Sequence, residues 1–589
     1  MASALDKSEL VDLVRLLSPP VIMLSAVWVV SAVSRRIFSK RSSGTTNPSS
    51  SNSGYQISRR KIRNEFMPRP PGHRGLLGET WSKAHESKGW VVMLGLLLTT
   101  YLSRQSYLNY KSNGTLFSEH GGNFLRRVFV HEMLEFAAIL VILYIFSFSA
   151  LLIQKIMIKF NMRVFGRAIM HVVQHVLMIA MVVLVTYYIV AIRRYDVSLV
   201  FRFAVGCEIL VIYMKMASYL GTNHYLWTLS RFQKDHTPTP QEPTDGVSRS
   251  MSFGSQTKLL GKMFGRKSVV QAYDLLDREK IDSMTHEDIC ALLVNRGIDV
   301  ERFEPAPTTI DGHGIPESPR NNERAARKLL SDLVELDEYR KSVYPGNVNF
   351  WNFVEYSILP VVVYEPKYPR NSHVNWVTVI EKLLTCFALI LFMWSMVEEY
   401  AIPRIIDMNQ GRANGGIADV MIDMIIPLQL YIVCQFYVVF ECVLGGNAEL
   451  ARLADREFYG DWWNSTSFEQ FSRKWNKPVH EFLLRHVHME AQVTLGLGRS
   501  ISTVLTFIYS IIAHEIMFLN TFGVFRPYLA FLSLFQIPLW PLMRSPLITN
   551  KLLGNIFFWI SLMTAWPLMT VLYCREYCKE DPRNCRIDI

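Results

Sequence analysis

The chain is dominated by long apolar runs broken by polar, charged loops, and within the runs polar residues do not alternate with a period of two. That pattern predicts helices buried in a bilayer rather than strands. A bilayer core takes roughly 20 apolar residues of helix, somewhat fewer where the ends snorkel, and runs near that length recur from residue 90 to the end. Nine are candidates: 90–102, 135–152, 168–192, 199–214, 383–397, 424–444, 501–519, 527–543 and 552–574, the first and fourth being the weakest. A tenth apolar run, 21–33, is short and follows Pro19-Pro20. It admits three readings, a tilted span, a re-entrant helix or an interfacial anchor, and it lacks the small-residue cleavage site of a removed signal peptide.

Loops supply orientation and boundaries. Arg35, Arg36, Lys40, Arg41, Arg59, Arg60, Lys61 and Arg63 precede the first good span, and Lys155, Lys159 and Arg163 follow the second. The positive-inside rule makes those loops cytosolic. Asn113 and Thr115 of an Asn-Gly-Thr sequon then fall on the lumenal side, as does the C-terminus after nine spans. The expected organisation is an N-terminal region, 1–89, with the short apolar segment and a Ser/Asn-rich flexible linker at 42–56. First transmembrane helices follow over 90–220, then a cytosolic loop region over 221–345 with a helical pattern at 273–296. Core helices occupy 346–574, with an interfacial loop at 446–492, and the tail from 575 is lumenal. No internal repeat at a fixed period is visible.

Composition agrees with the pattern: 50% hydrophobic, 12% aromatic and only 19% charged residues in 589, the balance of a polytopic membrane protein. The formal net charge of +11 sits in loops flanking helices, not in a separate groove-reading domain, so it argues for topology over nucleic acid. Basic charge left at a cytosolic mouth favours an anionic ligand. Most of the eight cysteines lie in or beside spans and act as small hydrophobes. Cys574, Cys578 and Cys585 cluster at the lumenal tail, where a bond from Cys585 to Cys578 or Cys574 becomes available.

Candidate chemistry is concentrated late in the chain. The loop LADREFYGDWWNSTSFEQFSRKWNKPVHEFLLRHVHMEAQ, from Leu453 to Gln492, alternates bulky aromatics with charges as interfacial segments do. Pro478 opens a helix with Val479, Phe482, Leu483 and Val487 on one side. In the seventh span, FIYSIIAHEIMFL places Ser510, His514 and Glu515 among apolar residues, and intramembrane ionisable groups are functional by default. Ser510 and His514, four apart, share a face, while Glu515 is turned by about 100°. A neutral imidazole there suits a general base, and the Asn476 amide on the preceding loop suits a carbonyl oxygen, with His480 one turn further on. HEFLLRH at 480–486 superficially resembles a zinc motif, but position 484 is leucine where the second histidine would stand, so no metal is expected. His131-Glu132 and the pair His171/His175 read as packing residues. There is no Gly-rich phosphate loop and no GxSxG elbow.

Several of these residues resemble one family. FYGDWWN at 458–464 (Phe458, Tyr459, Asp461, Trp462, Trp463 and Asn464 among them), Trp475-Asn476 with Pro478-Val479-His480, and the intramembrane His514-Glu515 are similar to the sterol and diacylglycerol acyltransferase branch of the membrane-bound O-acyltransferases. The likeness extends through LADRE, FECVL at 440–444, NFWNFVEYSILPVVVYEPKYPR at 349–370 and MKMASY at 214–219. It covers most of the chain from about residue 200. The resemblance implies an all-α integral membrane protein with about nine transmembrane helices around an intramembrane reaction chamber, and an endoplasmic-reticulum enzyme assembling as a dimer or dimer of dimers. It implies His514 as catalytic base and Asn476 as its assistant. It puts Trp475, His480, Arg499, Ser510, Glu515 and Gln536 at positions that line the chamber or touch acyl-CoA. No cofactor is bound permanently; acyl-CoA is a co-substrate.

The mechanism so implied is direct transfer, with no covalent acyl-enzyme. FYGDWWN with FLLRHV at 482–487 is most similar to the fungal sterol acyltransferases, whereas REFY at 456–459 and the IPL after Gln536 are also diacylglycerol-like. Sterol is the preferred acceptor and diacylglycerol the alternative. A lipid transporter using His514 and Glu515 as a proton relay is a remote reading, since it calls for inverted repeats and leaves the aromatic loop unexplained.

Overall fold

The structure, a computed structural model, describes residues 88–114, 122–123, 126–193, 196–236, 343–371, 373–412, 416–493, 495–535 and 551–580. The run 21–33, the linker, the 273–296 pattern, Thr115, Gln536 and Cys585 lie outside them. Among the described residues there is no strand, only an isolated bridge between Arg370 and Leu453. The helices are α1 (Lys88–Asn113), α2 (Met133–Lys159), α3 (Val164–Ile192), α4 (Leu199–His236), α5 (Phe350–Ile358), α6 (Trp376–Asn409) and α7 (Ile417–Leu450). They continue with α8 (Phe468–Trp475), α9 (Lys477–Phe482), α10 (Arg499–Phe522), α11 (Tyr528–Phe535) and α12 (Lys551–Glu580).

Six helices among the described residues are long and apolar enough to cross a bilayer: α2, α3, α6, α7, α10 and the Leu552–Lys579 stretch of α12. Three of the nine expected spans fall short of that standard for different reasons. The run 90–102 is the apolar start of α1, whose second half, YLSRQSYLNYKSN, is polar. The run 527–543 is described only through α11. The run 199–214 opens α4, which at 38 residues is about 57 Å long and carries Arg202, Glu208 and Lys215 in its first half. Hydropathy cannot credit such a helix, because α4 is shielded by other helices rather than by lipid.

That shielding has specific supports. The core cluster joins Leu143, Met178, Ile209, Ile212 and Leu519 from α2, α3, α4 and α10. Gly206 allows α4 to press on α10, since a Cβ there would lie 3.1 Å from the Asn520 Cβ. One residue on, Cys207 Sγ is 3.8 Å from Met517 Sδ, and Arg202 Nε donates to the Asn520 carbonyl at 3.0 Å. Rising numbers on α4 thus meet falling numbers on α10, an antiparallel pair. Glu132, just before α2, receives the Ser198 N–H at 2.6 Å and Oγ–H at 2.5 Å and pairs with Arg127 at 3.2 Å, while the Ser198 hydroxyl accepts from Phe201 N at 3.2 Å. The carboxylate therefore closes the exposed N–H groups at the start of α4. His175 Nδ1 donates to the His171 carbonyl at 2.7 Å, and the His171 ring meets the His224 ring edge-on at 5.2 Å: helix-packing roles for both.

Lys215 shows how a buried cation is tolerated. Its ammonium donates to the carbonyls of Tyr356 (3.1 Å), Ser357 (2.7 Å) and Leu359 (2.7 Å) at the C-terminal end of α5, where carbonyls lack partners and the dipole is negative. Tyr356 returns a hydrogen bond to the Lys215 carbonyl at 3.1 Å. Three residues along α4, Ser218 Oγ accepts from Tyr364 N at 2.8 Å and faces His486 Nε2 at 2.8 Å. The MKMASY run thereby clamps the 349–370 block and the loop before α10.

Candidate functional site

α10 places Ser510 and His514 on one face, as their spacing predicts, and both line a cavity of about 3130 Å³ walled mainly by apolar side chains. His514 Nδ1 lies 2.7 Å from the Ser510 carbonyl oxygen. A carbonyl only accepts, so Nδ1 carries the hydrogen. In the neutral ring the lone pair is then on Nε2. The side chain presents open surface to the cavity, so α10 holds an oriented proton acceptor inside the bundle.

Asn476, Trp475 and His480 line the same cavity from the segment between α7 and α10. Asn476 ends α8 and caps α9: its Oδ1 accepts from Val479 N at 3.2 Å, with Pro478 in the first turn, where a missing N–H costs nothing. One amide oxygen is used by the cap, which fixes the side chain and leaves its NH2 as a donor. Burial, and then the positive neighbours Arg473 and His488, push the His480 imidazole down to about 4. It is neutral at physiological pH.

The aromatic motif holds this segment in place. Phe458 and Trp462 are buried. Trp462 packs edge-on against Trp475 at 4.8 Å, Phe436 of α7 lies 4.6 Å from Trp475, and Trp566 of α12 lies 5.6 Å from it. Tyr459 donates to Glu441 on α7, which also pairs with Lys382 of α6 at 3.1 Å. The Trp463 carbonyl accepts from Asn555 at 2.9 Å and Trp559 at 3.1 Å, both on α12. Gly460 N donates to the Lys474 carbonyl at 2.7 Å and Lys477 N to the Phe458 carbonyl at 2.9 Å. Asp461 pairs with Lys474 at 2.8 Å, which holds its carboxyl below the ordinary value. Asn464 closes a turn on the Asp461 carbonyl at 3.1 Å. The motif's side chains are therefore a bracket between α6, α7 and α12 that aims Trp475 and Asn476, and its polar groups are spent on that bracket.

Two other expected residues sit apart from one another. Arg499 is the first residue of α10 and lines the cavity, fifteen positions before His514 and so about 22 Å from it along the helix. Glu515 is buried and is not among the lining side chains. Its Oε1 accepts from Ala530 N at 2.7 Å, in the first turn of α11, and its Oε2 faces the Tyr573 hydroxyl at 3.1 Å. It ties α11 and α12 to the helix carrying His514. Gln536 is outside the described residues. Around HEFLLRH, His486 faces Ser218 and Arg485 pairs with Glu365; no group of three or more potential metal ligands occurs among the described residues.

Sequence reasoning did not single out Glu208, Tyr213 or Tyr509, all of which line the cavity, the two tyrosines being hydrogen-bonded to each other. The signal of Glu208 and Tyr213 was present as polar atoms in the fourth apolar run, on a helix whose partner could not be foreseen, and Tyr509 stands beside Ser510 in the seventh run.

A multi-pass helical membrane protein that encloses a large apolar cavity, with an oriented histidine on one wall and a capped asparagine on another, is the class these observations define. The model of the membrane-bound O-acyltransferase family matches residues 256–575, over half of the chain, and the chain belongs to that family. It is 36% identical over 250 residues to a probable sterol O-acyltransferase 1 of Schizosaccharomyces pombe, covering 42% of this chain and 46% of the relative. It is 26% identical over 381 residues to sterol O-acyltransferase 2 of Candida albicans, covering 62% and 56%. Against diacylglycerol O-acyltransferase 1 of Dictyostelium discoideum the identity is 30% over 262 residues, covering 44% and 42%. The chain thus spans about half the length of the curated relatives it matches.

Proposed function

We propose that this protein transfers a fatty acyl group from acyl-CoA to the hydroxyl of a sterol, giving a steryl ester and free CoA. The observation that carries the proposal is the fixed tautomer of His514, with Nε2 turned to a cavity also lined by Asn476. The acceptor oxygen attacks the thioester carbonyl carbon as its proton passes to Nε2. The Asn476 amide donates to the carbonyl oxygen while negative charge gathers there. The C–S bond then breaks, and the imidazolium returns the proton to the thiolate, so no covalent acyl-enzyme is needed. Arg499, about 22 Å from His514 along α10, is too far for the thioester and suits the anionic, nucleotide end of CoA, with Trp475 and His480 along the path between. Enclosure in the bundle limits water and so hydrolysis.

The sterol acceptor is supported by the resemblance to sterol O-acyltransferases such as those of Schizosaccharomyces pombe and Candida albicans, and the likeness to a diacylglycerol enzyme keeps that lipid as the second reading. Nine spans, an endoplasmic-reticulum membrane, a homodimer or dimer of dimers, and a lumenal tail belong to the same proposal. The deciding experiment supplies purified protein with labelled oleoyl-CoA and either cholesterol or dioleoylglycerol. Steryl ester with CoA release is expected. Triacylglycerol alone would move the assignment to the second reading, and no CoA release with either acceptor would sink both and favour a transporter.

A further inference from the structure

Two cysteines meet where α6 packs on α7. The helices run antiparallel, tied at one end by Arg404 and Asp423 at 3.2 Å and at the other by Lys382 and Glu441 at 3.1 Å. Gly445 admits the lysine, since a Cβ there would lie 3.2 Å from Lys382 Nζ. Cys386 follows Lys382 by one turn and Cys442 follows Glu441 directly, and the Cys442 thiol donates a hydrogen bond to the Cys386 sulfur. Both cysteines are free. Side-chain atoms in contact lie roughly 4 Å apart, so a disulfide of about 2 Å asks the sulfurs to approach by about 2 Å more.

Their surroundings differ. Cys442 is buried, whereas Cys386 is half-buried and stands between Leu383 and Phe387, which are 68% and 46% exposed. That face is the apolar exterior of a span, and Cys386 lies about 15 Å along α6 from Trp376. What reaches it comes through the bilayer rather than from water. Neither cysteine lines the large cavity, so the proposed acyl transfer leaves both without a task. A half-exposed thiol in contact with a second, sheltered one is the arrangement of a peroxide-sensing pair, and the Lys382 ammonium is close enough for its charge to act on it.

We infer that Cys386 and Cys442 form a modification site for a fatty-acyl hydroperoxide of the surrounding bilayer, with Cys386 as the attacking and Cys442 as the resolving thiol. Cys386 sulfur attacks the outer oxygen of the hydroperoxide as its proton is lost. The O–O bond breaks, the lipid takes that proton and leaves as an alcohol, and Cys386 becomes a sulfenic acid. Cys442 sulfur then displaces the sulfenic OH, which departs as water with the Cys442 proton, and the S–S bond closes. Two thiols are oxidised and one hydroperoxide is reduced. The bond fastens α6 to the stretch of α7 on which Glu441 holds Tyr459 and whose Phe440 and Val443 line the cavity. Peroxidised lipid thereby locks that wall, whatever the cavity transfers.

The test uses the full chain, reduced, in nanodiscs containing a phospholipid with a linoleoyl hydroperoxide chain. Non-reducing peptide mapping should find Cys386 joined to Cys442, with one lipid alcohol formed per bond. In nanodiscs of intact lipid, oxidised glutathione supplied in the water should form the same bond about tenfold more slowly, since exchange depends on access. Cys442→Ser should stop at the sulfenic acid of Cys386, trapped by dimedone, and Cys386→Ser should leave the hydroperoxide unconsumed. Closing so long a loop should raise the melting midpoint of the parent by about 4 °C and of neither variant. Free thiols at both positions in the folded parent after exposure would overturn the inference, as would a bond formed equally fast by glutathione. The acyl-transfer reading is tested apart from this, by CoA release from the reduced protein.

Discussion

Asn476 has two tasks in this structure, and they can be separated. Its Oδ1 caps α9 through Val479 N at 3.2 Å, while its NH2 is the proposed oxyanion donor. Asn476→Ala removes both, whereas Asn476→Asp keeps the cap, since Asp and Asn are equivalent there, and deletes only the donor. Loss of the cap costs about 1 kcal/mol, which in a protein this large shifts the melting midpoint by no more than about 2 °C. Loss of an oxyanion donor lowers turnover by about 10²–10³, or roughly 3–4 kcal/mol of barrier. The expected pattern is therefore a large and similar fall in kcat for both variants, with only the alanine variant less stable. The assay is CoA release from oleoyl-CoA with cholesterol, alongside a thermal unfolding curve in the same detergent. If Asn476→Asp retains activity within about threefold, the amide does not donate to the reacting carbonyl and the role proposed for it is wrong.

His514→Ala should lower turnover by at least the 10²–10⁴ of a general base while leaving size-exclusion and melting behaviour unaltered; substantial turnover in the folded variant would remove the base assignment. His480, held at about 4 against an ordinary 6.5, binds fewer protons folded than unfolded between those values, so stability rises with pH across that window and falls on acidification. His480→Phe should flatten the change in melting midpoint between pH 7 and pH 5, and an unaltered slope would count against the burial described. Cys578 is disulfide-bonded whereas Cys574 is free, so alkylation mapped by mass spectrometry should mark Cys574 in the unfolded, unreduced chain and Cys578 only after reduction. Labelling of Cys578 without reduction would refute the bond.

Much of the site was legible because its chemistry is local. The four-residue spacing of Ser510 and His514 dictates that they share a face, and Pro478 just after Asn476 reads as the opening of a helix. The interfacial loop also announced itself through its aromatics. What could not be read depends on distant partners. Glu515 looked like a chamber residue, yet its direction around α10 takes it to Ala530 and Tyr573. The aromatic motif read as an interfacial segment and is a bracket as well, because Glu441, Asn555 and Trp559 wait on helices remote in sequence. The weak fourth run was weak for the reason that matters most: Arg202, Glu208 and Lys215 depress its hydropathy, and only neighbouring helices make them affordable.

The attachments of α4 bear on how this protein can be cut and recombined. The stretch that the family model recognises begins at 256, after α4 has ended, yet Lys215 closes the end of α5, Ser218 holds His486, and Arg202 grips α10. A fragment beginning at the recognised boundary would leave three carbonyls of α5 bare and one wall of the cavity open to lipid. Chimeras that exchange acceptor preference between relatives should therefore be joined upstream of residue 199, or carry α4 along with the C-terminal half. The unit inherited as a family signature is smaller than the unit that can close around a substrate.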